Sequence, residues 1–387
     1  MEFEFWWLLA IPLFFALGWL AARIDIKQVV TESRSVPDSY FRGLNFLLNE
    51  QPDKALDAFL EVVKLDPETI DLHFTLGALF RKRGEIDRAI RMHENLLERE
   101  TLAEEIRLKA LIELGQDYLK AGLLDRAEEV FDRLLETSYA GQARRQLLEI
   151  YVQEKDWNKA IQAATELEKS SARPMNAETA HFHCELATLD MVKGNLSDAQ
   201  RHLDQALSKH SSSARASIMA GDLHALSGDR EAALATWKLI EAQSPAHMVL
   251  VVERMLESYK QLGRLDEGLQ WLKGLLTRHP SLDLFNALYH AVMESQGAEA
   301  AYQLARDELR RNPSLHVLER LAEAELIAAP EDRREVIQNA KSLIQRHVQR
   351  LSRYHCVSCG FKAKQFFWRC PACGCWDGFD PARHEES

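Results

Sequence analysis

Five of the six cysteines of this 387-residue chain lie close together near its C-terminus. Four of them form two Cys-x-x-Cys pairs, Cys356 with Cys359 and Cys370 with Cys373, separated by ten residues. Two such pairs bring four thiolates to one point, which suits a tetrahedral ion. We therefore predict a metal site at these four cysteines, and their spacing leaves open whether the ion is iron or zinc. We expect Cys375 to be a fifth thiol outside the ligand set, although an exchange of roles with Cys373 is left open.

Each pair is followed by a glycine, Gly360 or Gly374, which allows the chain to turn so that backbone N–H groups face sulfur. The segments CVSCG and CPACG resemble the knuckles of rubredoxin and zinc-ribbon domains. Four thiolates leave no open coordination position, so we do not expect hydrolysis at the ion. Two disulfides or four free thiols are the alternatives. The cytoplasmic environment that the N-terminal segment predicts disfavours disulfides, and chance rarely produces both pairs with both glycines. The short segment around the cysteines is too small to fold by apolar burial alone, so the ion must contribute.

No other motif in the sequence indicates catalysis. The chain has no G-x-S-x-G, no Walker loop, no G-x-G-x-x-G after a strand and no H-E-x-x-H. His181, His183 and Cys184 are predicted to be core or groove residues, because residues two apart on a helix point in different directions. The net charge of −11 argues against a nucleic-acid ligand. We therefore assign no catalytic residue and predict that the protein is not an enzyme.

The residues before the cysteines repeat with a period of about 34. A small residue recurs where two helices would cross, at Ala55, Ala89, Ala127, Ala160, Ala199, Ala233 and Gly268. A second set of small residues would let the first helix of a pair approach its partner: Gly43, Gly77, Gly115, Ala187 and Gly221. A third set is predicted to end the first helix in a left-handed turn: Gly84, Gly122, Gly194, Gly228 and Gly263. The pattern resembles the tetratricopeptide repeat.

This repeat predicts an all-α fold in which about nine helix pairs stack as a right-handed superhelical solenoid. Such an array binds protein segments in a groove lined by the first helices, and it predicts binding and not chemistry. Leu148 and Leu256 stand where a small first-helix residue is expected, so these pairs are expected to be spread or bent. The pattern also weakens after Pro280.

The N-terminal segment predicts a membrane anchor. Residues 5–22 carry no charge and would reach about 27 Å as a helix, close to the thickness of a bilayer core. Glu2 and Glu4 precede them and no Ala-x-Ala site follows, which favours a retained anchor over a cleaved signal peptide. Because the cations follow the span, the bulk of the chain is predicted to be cytoplasmic. The predicted domains are an anchor at 1–22, a juxtamembrane linker at 23–39, the repeats at 40–350 and the metal-binding domain at 351–387.

This order of elements resembles the lipopolysaccharide assembly protein B family of Gram-negative bacteria. The most specific marks are FWWLLAIPLFFALGWLAA, YFRGLNFLLNEQPDKALDAFLEVVKLDP, LGALFRKRGEIDRAIRMHENLL, YHCVSCGF and WRCPACGCW. The resemblance implies a single-pass inner-membrane adaptor that promotes degradation of the deacetylase LpxC by the protease FtsH and organises lipopolysaccharide-assembly proteins. It also implies a metal at Cys356, Cys359, Cys370 and Cys373. Homo-oligomerisation is left open, and the alternative function is a rubredoxin-like iron electron-transfer protein on a helical-repeat scaffold.

Overall fold

The computed structural model describes residues 16, 19, 38–49, 51–65, 70–100, 102–170, 174–351 and 354–381. The predicted anchor, apart from two single residues, and nearly all of the predicted linker lie outside them. Among the described residues, no helix combines the length and the apolar character needed to cross a bilayer.

The described part of the chain forms eighteen α-helices, which follow one another as nine pairs. The first pairs are α1 (Asp38–Leu48) with α2 (Pro52–Leu65), α3 (Ile70–Arg83) with α4 (Ile86–Leu97), α5 (Glu104–Ala121) with α6 (Leu124–Asp132), and α7 (Ala140–Glu154) with α8 (Trp157–Ser170). Next come α9 (Asn176–Lys193) with α10 (Leu196–Lys209), α11 (Ala214–Leu226) with α12 (Arg230–Gln243), and, after a 3-10 helix (Pro245–Leu250), α13 (Val252–Gln261) with α14 (Leu265–Arg278). The last pairs are α15 (Leu282–Gln296) with α16 (Ala298–Arg311), and α17 (Leu315–Ala328) with α18 (Glu331–Leu351).

The helices end where the glycine pattern predicts. All five glycines predicted to follow a first helix have a positive φ, between 70° and 87°. At Gly122 the reversal is closed by two backbone bonds, from Gly122 N–H to the Leu119 carbonyl at 3.1 Å and from Leu123 N–H to the Tyr118 carbonyl at 2.9 Å. A glycine adopts this left-handed conformation without the strain that a Cβ would bring. The prediction of left-handed helix ends is therefore confirmed.

Glycines on the first helices make room for large rings on the second helices. At Gly115, an added Cβ would lie 2.6 Å from the ring of Phe131, which is fully buried. The same arrangement recurs at Gly43 with Phe59 and at Gly221 with Trp237. Burying one such ring contributes roughly 2–3 kcal/mol, so each close approach stabilises its own helix pair.

The pair of α13 and α14 reverses this arrangement. Tyr259, on the first helix, is buried, and an added Cβ at Gly268, on the second helix, would lie 2.7 Å from its ring. Leu256, which stands where a glycine was expected, is itself buried. The small residue and the aromatic ring have therefore exchanged helices, and the pair still packs closely.

The chain divides into two compact units, residues 1–150 and 151–387. In each unit, most helices contact the next helix along the chain. First helices of successive pairs also contact each other: α3 contacts α5, and α9 contacts α11. Neighbour-to-neighbour contact of this kind is typical of a helical repeat. The largest core of the second unit runs from Ala214 to Ala324. The helical-repeat fold is thus present, while its superhelical hand stays a prediction.

The second unit ends in a small segment that is not helical. Residues 354–381, which we call the ribbon, contain a two-stranded antiparallel sheet of β1 (Tyr354–His355) and β2 (Lys362–Ala363). In its register Tyr354 lies opposite Ala363. Trp368 of the ribbon packs against the helical core of the same unit, so the ribbon is part of this unit's folded structure.

Candidate metal centre and its docking surface

The two cysteine pairs of the ribbon lie in loops of the same construction. The Cys356 carbonyl accepts a hydrogen bond from the Gly360 N–H at 2.8 Å, and the Cys370 carbonyl accepts one from the Gly374 N–H at 2.9 Å. In both loops the N–H of the first cysteine donates to the carbonyl five residues later. Both glycines have a positive φ, 74° and 72°. The turn that the sequence predicted after each pair is therefore present.

The two loops bring the four predicted ligands together. All four Sγ atoms lie within 4.8 Å of one another. The Sγ atoms of Cys356 and Cys373 are 3.8 Å apart, and those of Cys359 and Cys370 are 3.7 Å apart. A tetrahedral ion with metal–sulfur bonds of about 2.3 Å requires sulfur–sulfur edges of about 3.8 Å. The four thiols therefore have the spacing that a zinc or iron tetrathiolate needs.

The electrostatics of the cluster also favour a cation. Burial acts to raise the pKa of Cys370, but N–H groups of Cys373 and Ala372 that face its sulfur outweigh burial, and the pKa falls to about 7. At Cys359 the N–H of Phe361 acts to lower the pKa, yet loss of solvation and hydrogen bonds that the Cys359 thiol donates to the neighbouring sulfurs raise it to about 12. One thiolate thus forms readily while a neighbouring thiol resists ionisation. A bound cation would remove this conflict.

Cys375 lies beside the four thiols and has a different partner. Its Sγ donates to the Trp376 carbonyl at 3.2 Å. A Cβ added at Gly378 would lie 3.0 Å from the Cys356 sulfur and 3.5 Å from the Cys375 sulfur. The absence of a side chain at Gly378 therefore makes room for both sulfurs, a requirement that the sequence analysis missed.

The ribbon has a very small apolar core. Its buried members are Cys356, Cys370 and Phe379, and four partly buried side chains pack against them: Tyr354, Ala363, Phe366 and Phe367. Two of the three buried residues are cysteines of the cluster. A core of this size cannot offset the conformational entropy of ordering the segment, so metal binding and contact with the helices must stabilise it.

Trp376 of the ribbon packs on helix α9. Its ring stacks on the ring of His181, with centroids 4.6 Å apart and an interplanar angle of 12°. The edges of Trp157 and Phe182 meet the same ring at 6.5 and 6.1 Å. The tryptophan thus fills a site made of three aromatic rings of the second unit, an arrangement that contributes beyond simple area burial.

Trp368 forms a second stack, on the 3-10 helix. Its ring is nearly parallel to that of His247, at 3° and 5.1 Å. The guanidinium carbon of Arg215 lies 5.9 Å from the Trp368 ring and 5.7 Å from the Trp376 ring, within cation–π range of both. Arg215 also donates to Glu185 Oε1 at 2.8 Å. A cation between the two indoles therefore joins the two stacks.

A hydrogen bond between His181 and Asp377 completes the contact. Asp377 Oδ2 lies 2.8 Å from His181 Nε2. Burial acts to raise the pKa of the Asp377 carboxyl, but the hydrogen bond and charge of His181 outweigh burial and lower that pKa. Asp377 has a φ of 50°, a left-handed conformation that aspartate tolerates better than most residues. Burial also lowers the pKa of His247.

The histidines and cysteine predicted as core or groove residues have separate surroundings. His181 contacts the ribbon, whereas the ring of His183 stacks on that of His202 at 5.7 Å. Cys184 is fully buried, and burial raises the pKa of its thiol to about 12. Among the described residues, the four ribbon cysteines are the one cluster with metal-ligand geometry.

The first unit contains a buried polar network. His93 Nδ1 lies 2.6 Å from Asp117 Oδ2, and Arg81 donates to Asp117 Oδ1 at 2.6 Å and also to Glu113. Both His93 and Asp117 are fully buried, so no substrate reaches them. A Cβ at Gly77 would collide with the His93 ring. His93 therefore takes the structural position that Phe59 and Phe131 take in other pairs.

Comparisons with known proteins agree with this architecture. Residues 354–381 match the rubredoxin metal binding domain, and residues 112–174 and 184–247 match the tetratricopeptide repeat. Lipopolysaccharide assembly protein B of Escherichia coli strain K12 is 36% identical over 378 residues, which cover 97% of each chain. The chain belongs to the lipopolysaccharide assembly protein B family. The resemblance noted in the sequence is thereby confirmed.

A second member of the family is more distant. Lipopolysaccharide assembly protein B of Haemophilus influenzae is 29% identical over 391 residues, which cover 98% of each chain. Among solved structures, the chain is similar to a tetratricopeptide repeat protein from Parabacteroides merdae. That structure has 14% identity and a TM-score of 0.35 over 74% of this chain and 97% of its own.

Proposed function

We propose that the protein is a non-catalytic adaptor and scaffold in lipopolysaccharide assembly. The observation that carries this proposal is the similarity to lipopolysaccharide assembly protein B along nearly the whole chain. The helix pairs support it, because stacked repeats of this kind bind other proteins along the faces of their first helices. The buried His93–Asp117 network and the closed tetrathiolate geometry agree with a role in binding.

The four cysteines Cys356, Cys359, Cys370 and Cys373 would hold one iron or zinc ion. When bound, the ion supplies the positive charge that allows four neighbouring thiolates to coexist. The ribbon residues then have a positioning role. The second knuckle, residues 370–374, fixes the chain between Trp368 and Trp376, and these two rings hold the ribbon on the helices.

The proposed partners are the membrane protease FtsH and proteins of lipopolysaccharide synthesis, and LpxC is the proposed client for degradation. Residues 5–22 would anchor the chain in the inner membrane with its bulk on the cytoplasmic side. Confinement to the membrane raises the effective concentration of the adaptor near a membrane protease without any new contact. The anchor is therefore part of the mechanism in this proposal.

Deleting residues 1–22 tests this function. At matched protein levels, we expect the deletion to lengthen the half-life of LpxC in cells and to raise the lipopolysaccharide content. The matched control replaces the same residues with an unrelated single-pass helix of the same orientation, which should restore both. Normal LpxC turnover in the deletion strain would contradict the tethered adaptor.

A further inference from the structure

In the second unit, a groove runs across the C-terminal turns of the first helices α9 and α11, along α13 and across the second half of α15. It consists of two cavities of about 620 and 380 Å³. The larger cavity lies between α9, α11, α12 and α13, and the smaller lies between α13, α14 and α15. Glu253 and Glu257 line both cavities, so the two lie side by side along α13. We call this surface the acidic groove.

The acidic groove and the ribbon occupy different turns of the same helices. The ribbon contacts His181 in the first half of α9, Arg215 at the start of α11 and His247 just before α13. The groove is lined by Met191 near the end of α9 and by Leu226 at the end of α11. Bound ribbon therefore leaves the groove open.

The groove has apolar side chains that the described part of the chain does not cover. Leu226 is 66% exposed at the end of α11. Met191, on the last turn of α9, lines the larger cavity together with Leu226. Ala287 and Ala291 line the smaller cavity. Exposed apolar side chains gathered beside a cavity are typical of a surface that binds another protein.

The charges of the groove select the kind of partner. At its two sides the charges are already paired, Arg254 with Asp222 and Lys260 with Glu294. Glu257, in the middle, accepts a hydrogen bond only from the neutral amide of Gln261, at 2.6 Å, among the described residues.

Glu253, one turn earlier on α13, has neither an ion pair nor a side-chain hydrogen bond within the described part of the chain. Arg230 supplies an opposite charge at the α12 end. The centre of the groove therefore presents two carboxylates that form no ion pair within the described part of the chain, and the nearby Lys260, whose charge acts on Glu257, is itself paired with Glu294.

We propose that the acidic groove binds a short segment of a partner protein that carries a lysine or arginine next to large apolar side chains. The basic group lies between Glu253 and Glu257, and an apolar side chain packs on Leu226. Nucleic acid and anionic lipid headgroups are disfavoured, because the two carboxylates would repel them. This inference rests on the proposed adaptor function and names the chemistry of the segment that the adaptor holds.

Two labelled peptides of defined sequence serve as probes, LKALKALKALKA and its counterpart LEALEALEALEA. Binding to the full chain in detergent is measured by fluorescence anisotropy at low salt. We expect the lysine peptide to bind at least about tenfold more tightly than the glutamate peptide. Glu253→Lys with Glu257→Lys should weaken the lysine peptide about tenfold and strengthen the glutamate peptide, because attraction becomes repulsion.

The matched control is Glu331→Lys with Glu335→Lys. These residues have the same spacing, are exposed, and begin in the first turn of a helix, as Glu253 and Glu257 do, but they lie outside the groove. This control should bind both peptides as the native chain does. The milder pair Glu253→Gln with Glu257→Gln keeps the side-chain shape and should lose part of the preference for the lysine peptide. This pair keeps the proposal testable if the charge-reversed variant misfolds.

Equal affinity of the native chain for the two peptides would overturn the proposal, and so would equal losses in the groove and control variants. A failure here is distinguishable from a failure of the adaptor function, because deletion of residues 1–22 is scored on LpxC turnover without any peptide. If that deletion abolishes regulation while the native chain ignores both peptides, the acidic groove is wrong and the adaptor function stands.

Discussion

The two ends of the same first helices differ in what covers them. Near their N-terminal ends, α9 and α11 are covered by the ribbon through Trp376, Trp368 and a hydrogen bond between Asp377 and His181. At the C-terminal end of α11, Leu226 is exposed, and the exposed carboxylates of Glu253 and Glu257 on α13 line the same cavity. The N-terminal ends are covered by a segment of the same chain, the ribbon, through stacked rings and a hydrogen-bonded carboxylate. The groove instead presents carboxylates that form no ion pair, beside apolar side chains.

This difference indicates that the second unit has one surface with a structural role and another with a binding role. Stacked rings and a hydrogen-bonded carboxylate are typical of a permanent contact. An open surface with uncompensated carboxylates gives selectivity for a cationic partner and a faster encounter with it. We therefore interpret the ribbon as a structural part of the second unit, and the acidic groove as the surface on which this unit binds partner proteins reversibly.

The largest expected effect is the loss of a metal ligand. Replacing Cys370 by Ser removes one sulfur of the tetrathiolate, whose binding free energy in small metal domains is on the order of 10 kcal/mol. We expect the ribbon to unfold and residues 354–381 to become sensitive to trypsin, while the helical circular-dichroism signal remains.

Cys375→Ser is the control for this variant, because the Cys375 thiol donates a hydrogen bond to the Trp376 carbonyl and is not one of the four clustered sulfurs. It should retain one metal ion per chain and a trypsin-resistant ribbon. Equal metal loss in both variants would show that the cluster uses a different set of four cysteines.

The next effect is on the stacked tryptophan. Trp376→Ala removes the ring that lies among His181, Trp157 and Phe182, at a cost of about 3 kcal/mol to docking. We expect the ribbon to keep its metal and yet be cleaved faster at its junction with α18. Val357→Ala, at an exposed apolar position of the first knuckle, should leave the cleavage rate unchanged. If Trp376→Ala and Val357→Ala are both cleaved as slowly as the native chain, the Trp376 stack does not hold the ribbon on the helices.

A smaller effect is expected from the hydrogen bond between His181 and Asp377. A double-mutant cycle with His181→Ala and Asp377→Asn should give a coupling energy of about 1 kcal/mol in docking stability, since the pair is partly shielded from water. Asparagine keeps the tolerance for the left-handed φ at this position. The control cycle combines Asp377→Asn with His183→Ala, whose ring packs on His202, and should show no coupling. Coupling of equal size in both cycles would refute a specific pair.

The smallest effect is the response to pH. The lowered pKa of His247 means that docking favours the neutral ring, whereas the undocked ring has its ordinary value of 6.5. Docking should therefore weaken as the pH falls below about 6.5, and a rise above 7 should change nothing through this group. Asp377 and Asp380 on the ribbon and His181 on α9 face the same ring. Because the Asp377 pKa is lowered from 3.8, the contribution of this carboxylate to docking stability is lost only at a pH below 3.8.

Tryptophan fluorescence at pH 7 and pH 5.5 measures this response. We expect a partial rise in the exposure of Trp368 at the lower pH in the native chain and a smaller rise in His247→Gln, which does not titrate. If Trp368 becomes equally exposed at pH 5.5 in the native chain and in His247→Gln, the response comes from a group other than His247.

Local rules were enough to predict the metal cluster and the helix ends. Cys356, Cys359, Cys370 and Cys373 lie in loops whose geometry depends on the few residues between them, and the glycine after each pair has the positive φ that such a turn requires. The helix pairs follow from a period that is repeated many times.

The docking surface could not be predicted in the same way. His181 and Asp377 are 196 residues apart, and no periodic pattern relates them. His181 stands next to His183 and Cys184 in the sequence, and only the structure shows that their surroundings differ. Gly378 has no helical or turn signature, because its requirement comes from the Cys356 sulfur that approaches it.

The exchange at Gly268 and Tyr259 was also missed, for a related reason. The pattern assigns the small residue to the first helix of each pair, yet close packing requires only that one of the two facing residues be small. A search for complementary sizes on both helices would have found this pair.

Hydrogen exchange on the full chain, with metal and after its removal, is the most direct test of the claim that a metal-held ribbon covers one end of the first helices. We predict that metal removal speeds exchange at least about tenfold in the first half of α9 and in the ribbon, and leaves α15, which lines the acidic groove, unchanged. Unchanged exchange in α9, or an equal increase in α9 and α15, would contradict the claim.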